Sequence, residues 1–109
     1  KFNEKIYADK VITEYIADIV NATRNPKDYD LDLDSMIEFG ASPRASIWLM
    51  RTAKANALLN GRGFIIPEDV KSVAHEVLRH RIILTFEAEA NGINSDKIID
   101  FVLEKISPP

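Results

Sequence analysis

The chain has 109 residues and no cysteine, so it carries neither a disulfide framework nor a thiolate metal site. That suits a reducing compartment, and the cytoplasm is the expected location. No apolar run approaches the ~20 residues needed to span a bilayer. No charged-then-apolar leader opens the sequence, so secretion is not indicated. Glycine occurs only four times, and none falls in a GxxxxGK[ST] phosphate loop; no serine sits in a GxSxG elbow. The two histidines, His75 and His80, lack HxxxH or HxH spacing and have no acid cluster at ligand distance in sequence. Both therefore read as structural. There is no basic surplus: the formal net charge is −3, which argues against a nucleic-acid module. Nothing in the chain supports covalent chemistry by itself.

What remains is an ordinary globular composition of a length that suits one domain with one core. The chain begins at Lys1 rather than methionine, and we expect a piece of a longer protein.

Four segments carry helical periodicity. Val11, Ile12, Tyr15, Ile16, Ile19 and Val20 predict a first helix over 10–24, with Asp9 as its cap and Asn25-Pro26 as its stop. A second is predicted from Pro43 to Asn60. Its apolar stripe is Ile47, Trp48, Ala55, Leu58 and Leu59, and Gly61 stands where a left-handed residue is wanted. Pro67-Glu68-Asp69 opens a third, with acids in its first turn and Val70, Val73, Ala74, Val77 and Leu78 facing inward. Ile66 is a poor cap for it, with no local remedy in the sequence. A fourth is predicted over 95–106, capped by Asn94, with Ile98, Ile99, Val102, Leu103 and Ile106 inward.

Strand signals are thin. Phe64-Ile65-Ile66 and Ile6-Tyr7 are short extended candidates that pair if either forms a strand. Ile82 to Glu89 reads equally as a strand or as a continued helix. The expected architecture is a small all-α bundle with at most one two-stranded patch.

The most informative stretch is Gly40-Ala41-Ser42-Pro43-Arg44-Ala45-Ser46. Ser42 suits an N-cap and Pro43 the first helical position, which puts Arg44 at the second. A cation there is disfavoured by roughly 0.3–1 kcal/mol, because the free N–H groups carry partial positive charge. An anion held jointly by the helix end and the guanidinium reverses that sign, and phosphate fits best. The bland alternative is a surface arginine that tolerates a small penalty.

Other features have plainer readings. The run Asp28 to Asp34 places oxygen donors like the start of a calcium loop. Its sixth residue is Leu33 and its twelfth Phe39, where that loop needs glycine and glutamate. It reads as an acidic connector whose Tyr29, Leu31 and Leu33 turn to the core, and no metal site is expected. Trp48, Phe64 and Phe86 are expected to be core aromatics rather than ligand stackers. Arg44, Trp48 and Arg51, at spacings of four and three, share one side of the second helix.

The stretch Gly40-Ala41-Ser42-Pro43-Arg44-Ala45 resembles the second-sensor motif of the MoxR-type AAA+ ATPases. Gly61-Arg62 followed by Pro67-Glu68-Asp69-Val70 is similar to that family's turn into its next helix. Val77 to Ile82, Phe86 to Ala90 and Gly92-Ile93 are similar to the family's segment beyond that helix. The resemblance runs from about Tyr7 to Pro108. It departs at Trp48, where a small residue is usual, and at Ile66, where the family carries a capping threonine or another polar residue.

The resemblance implies that residues 1–109 are one C-terminal helical lid, cut from an ATPase whose α/β core domain binds ATP and Mg2+. By family position Arg44 reaches the ATP γ-phosphate, Pro43 and Ala45 border the nucleotide, and Ile12 and Ile16 flank the adenine. It further implies a homo-oligomeric ring, commonly a hexamer. Such rings act as chaperone-like machines for maturing protein complexes or inserting cofactors, often beside a partner with a von Willebrand A domain. The fragment alone is not expected to hydrolyse ATP. The rival readings are a stand-alone helical protein-interaction module and a DNA-binding helical domain, the latter disfavoured by charge.

Overall fold

The spacing of apolar residues after Asp9 builds α1, Lys10–Arg24, in a computed structural model that describes residues 6–109. Ile12, Tyr15, Ile16, Ile19, Val20 and Ala22 are buried, and Thr23 is buried with them. Val11, expected inward, lies on the open side of the helix. Asp9 has the extended backbone of a cap, but its side chain makes no capping bond.

Pro26–Tyr29 form one turn of 3-10 helix, and Asp30 comes next in the left-handed region at φ 57°. The Tyr29 hydroxyl donates to Asp18 Oδ1 at 3.1 Å, tying the connector back onto α1. Partial burial and this bond to a carboxylate push the Tyr29 phenol above its ordinary pKa. Leu33 is buried and Leu31 half-buried, while Asp28, Asp30, Asp32 and Asp34 face out. Among the described residues no group of three or more acids or histidines is placed to hold a metal ion.

The two-stranded patch is real, but it forms elsewhere than expected. β1, Ile37–Phe39, pairs antiparallel with β2, Ile83–Leu84, placing Ile37 opposite Leu84 and Phe39 opposite Ile83. Thr85 resolves the ambiguity of 82–89. Its N–H bonds to the Met36 carbonyl and its hydroxyl donates to that of Ser35, which closes the sheet. The same oxygen accepts the Ala88 N–H and so caps α4, Phe86–Ala90. The expected pairing of Ile6-Tyr7 with Phe64-Ile65-Ile66 shrinks to one parallel bridge. The Tyr7 N–H bonds to Gly63 O at 2.8 Å and the Ile65 N–H to Tyr7 O at 3.0 Å. The next donor on that edge would be residue 67, and Pro67 lacks an N–H; the Ile66 N–H lies on the other edge.

That N–H goes to Asp69 Oδ2 at 2.9 Å, which supplies the cap Ile66 cannot. Asp69 lies in the first turn of α3, Pro67–Leu78, and is 0% exposed. It also accepts from Asn56 Nδ2 at 2.8 Å and from the Arg62 guanidinium. The expected inward stripe of α3 is buried throughout.

The second helix differs most from expectation. α2 spans Ala45–Leu59, and its buried face is Ala45, Leu49, Ala53 and Ala57. Ile47, Trp48, Leu58 and Leu59 point away from the core, Leu59 at 85% exposure. Alanines at intervals of four and eight let α3 approach closely, so small residues and Leu49 took the core while the other large ones stayed outside. The end of α2 is as expected: Gly61 has φ 75°, its N–H bonds to Leu58 O and that of Arg62 to Ala57 O.

α5, Ser95–Lys105, starts where Asn94 Oδ1 accepts the Lys97 N–H, and packs on α1 and α3 through Ile98, Ile99 and Val102. Arg79 Nε donates to Asp96 Oδ1 at 2.8 Å and His75 Nε2 lies 2.7 Å from Asp100 Oδ1, so the two contacts clip the end of α3 to α5. The fold is the expected helical bundle, 43 × 22 × 20 Å, and no described helix is long and apolar enough to cross a membrane.

Candidate functional site

Residues 41–45 form an arch pinned at both feet. Ala41 and Ala45 are fully buried, and Ser42, Pro43 and Arg44 between them are exposed. Pro43 fixes φ within the span. The Ser42 hydroxyl accepts the Arg44 N–H at 3.2 Å, a bond within the turn before the helix rather than the expected cap of the helix itself. The helix, however, starts at Ala45 rather than Pro43, and Arg44 is the residue before it, not the second within it.

This shift changes the electrostatics. The N–H groups of Ala45, Ser46 and Ile47 bond to the carbonyls of Ser42, Pro43 and Arg44 at 2.8–3.1 Å, a tight lead-in of 3-10 type. The first-turn donors expected to share an anion are therefore occupied. What the arch offers is the guanidinium: the Arg44 side chain has no hydrogen bond or ion pair among the described residues.

The near foot stands on α1. Gly40 lies against the backbone of Thr23 and Arg24; a Cβ there would overlap the Thr23 carbonyl and come within 2.7 Å of Arg24 N. The Thr23 hydroxyl donates to Val20 O at 2.7 Å and accepts the Ala41 N–H at 3.0 Å. Thr23 was not singled out in the sequence. A signal existed, since Thr23 continues the inward spacing of Ile16, Ile19 and Val20, and a polar residue in a buried stripe needs a partner. Beside the arch lies a shallow hollow of about 350 Å3 lined by Arg24, Glu38, Phe39, Gly40, Ser42 and Pro43.

The far side continues along the outer face of α2. The Arg51 guanidinium stacks over Trp48, 5.5 Å from the ring centroid, so Arg44, Trp48 and Arg51 do share one side. Trp48 is half exposed, as is Phe64, and Phe86 is 86% exposed, so none of the three aromatics expected in the core is there. Ile12 and Ile16 are buried within the bundle, on the inward face of α1.

The fold is thus a helical bundle with a small antiparallel patch, and an arginine without a partner among the described residues leads into its second helix. The chain belongs to the AAA lid domain family, whose model matches residues 31–101. Its relatives make it a lid of the MoxR type. It is 38% identical over 104 residues to Chaperone MoxR1 of Mycobacterium tuberculosis, covering 94% of this chain and 28% of that protein. It is 37% identical over 84 residues to Protein MoxR of Paracoccus denitrificans, covering 72% and 25%. A solved structure of a candidate ATPase from Cytophaga hutchinsonii superposes with a TM-score of 0.95 at 44% identity, over 99% of this chain and 33% of that one. The chain thus spans a third or less of the length of these proteins.

Proposed function

We propose that this chain is the C-terminal lid of a longer AAA+ ATPase, in which Arg44 is the second sensor and contacts the γ-phosphate of ATP held by a separate core domain. The observation that carries this reading is an exposed, unpaired guanidinium on an arch fixed at both ends. A cation held out by a rigid support, with no partner of its own among the described residues, is suited to meet an anion supplied from outside.

The chemistry is a matter of charge. Phosphoryl transfer spreads negative charge over the γ-phosphoryl oxygens, and a positioned cation lowers that barrier. An arginine on a lid bridges lid and core only while the γ-phosphate is present. Its loss removes a contact that favours the closed arrangement, so the lid angle can track the nucleotide state. Pro43 and Ala45 hold the arch at the border of the nucleotide. The exposed side of α1 approaches the adenine, with the buried Ile12 and Ile16 setting the position of that helix. The described acids form no metal cluster, so Mg2+ is assigned to the core domain and no step here runs through it.

The parent then belongs to a homo-oligomeric ring, a hexamer by family habit, that works as a chaperone-like machine in complex maturation or cofactor insertion, beside a von Willebrand A-domain partner. The similarity to Chaperone MoxR1 supports this direction. The exposed apolar face of α2 also favours a second reading, a protein-interaction module with no nucleotide role. Arg44→Ala in the full-length protein separates them. We expect ATP turnover to fall at least about tenfold, the scale of losing one charge-stabilising group. Nucleotide-driven lid closure, monitored by fluorescence transfer between core and lid, should weaken with it. Unchanged turnover and unchanged closure would leave the interaction module standing.

A further inference from the structure

We propose that Thr23 is the positioning residue for Arg44, setting its reach from inside α1; the proposal rests on Arg44 acting as the second sensor. Thr23 is 1% exposed and lies near the end of α1, twenty-one residues before Arg44. Its hydroxyl is fully used: it donates to Val20 O and accepts the Ala41 N–H, the first backbone donor of the arch. Valine has the same shape without the hydroxyl, so Thr23→Val leaves that buried N–H without its acceptor.

The contact on the other side is steric. Gly40 presses backbone to backbone on Thr23 and Arg24, and no side chain fits between them. A bond at Ala41 and close backbone contact at Gly40 thus hold one foot of the arch against α1. From Ala41 the chain to Arg44 is three residues long, and one of them is Pro43. Little backbone freedom remains to absorb a shift at the foot, so an error at Thr23 is passed on to the Arg44 backbone from which the guanidinium reaches out. Threonine could serve the fold alone, as a satisfied polar group in a core; the two roles differ in whether its effect on turnover passes through Arg44.

The test is a double-mutant cycle in the full-length ATPase, with turnover and KM measured for Thr23→Val, Thr23→Ser, Arg44→Ala and Thr23→Val/Arg44→Ala. Misplacing a group that acts in the transition state lowers kcat rather than raising KM, and we expect a loss on the order of tenfold for Thr23→Val. Thr23→Ser, which keeps the hydroxyl, should stay near the parent rate. In the Arg44→Ala background Thr23→Val should add no further loss in kcat. Amide exchange is measured alongside, and Thr23→Val should speed it at Ala41–Ala45 but not in α5. An Arg44→Ala defect with Thr23→Val harmless, or with the same loss in both backgrounds, overturns the positioning role. A silent Arg44→Ala instead overturns the sensor reading, and a loosened arch by exchange then shows that only the catalytic consequence has failed. Should Thr23→Val not fold, Thr23→Ala removes the same hydroxyl with less bulk and must give the same Arg44-dependent pattern.

Discussion

Three donors converge on the Asp69 carboxylate: the Ile66 N–H, the Asn56 amide and the Arg62 guanidinium. One buried acid thereby starts α3, fastens α2 to it and holds the turn between them. Asp69→Ala strands all three donors and should cost about 2–4 kcal/mol in urea unfolding, below the largest buried-pair losses because Arg62 keeps some water contact. Asn56→Ala removes one donor and leaves the acid two, so it should cost about 1 kcal/mol. A second acid gives a pH signature. Its hydrogen bond to Arg79 holds the Asp96 carboxyl below its ordinary value of 3.8. A lowered folded pKa means that this contribution is complete above the ordinary value and fades as pH falls through the folded one. An NMR titration should therefore find the Asp96 midpoint below 3.8. Asp96→Asn should remove that part of the acid-side loss, which is small because both partners are exposed.

Elements divide by how their apolar residues are arranged. The helices α1, α3 and α5 each carry one inward stripe, and periodicity alone places them, to the residue for α1. In α2 most of the large apolar residues lie on the outer face, while the buried face is three alanines and Leu49, and size misleads. A rule that buries Trp48 and Leu59 first takes the wrong side, because close approach to α3 needs Ala53 and Ala57. Two opposite substitutions check this. Ala57→Leu overfills the contact and should destabilise by about 1–3 kcal/mol. Leu59→Ser, on the outer face, should change unfolding by no more than about 0.5 kcal/mol. The site was half legible for a related reason. Ser42, Pro43 and Arg44 stand together in the sequence and announce a helix start. Thr23, which holds them, is seventeen residues before Gly40, and no local pattern joins residues that meet only in the folded chain. The existence of a β-patch was legible but its place was not, since Ile37 and Leu84 are paired by tertiary contact, with Thr85 as the visible clue.

At the scale of the whole molecule, the proposed reading divides labour between this lid and a separate core domain, and the described residues bring no three acids or histidines together as a metal cluster. The isolated 109-residue chain should accordingly fold, show no ATP turnover above buffer and bind nucleotide weakly by calorimetry. Appreciable hydrolysis by the chain alone would contradict the division of labour proposed for lid and core.

The alanine seam between α2 and α3 has one further consequence. Three of the four residues on the buried face of α2 are alanines, and α2 lies against α3 more extensively than against any other element, so a tilt of α2 carries α3 with it. Fifteen residues make α2 about 22 Å long, and a tilt of about 10° at the arginine moves the opposite end by about 4 Å. That end carries Leu59, the apolar residue of α2 most open to solvent. On the proposed reading of Arg44, a phosphate gained or lost at one tip would thus be felt as a displaced greasy knob at the other, well beyond reach of any direct contact.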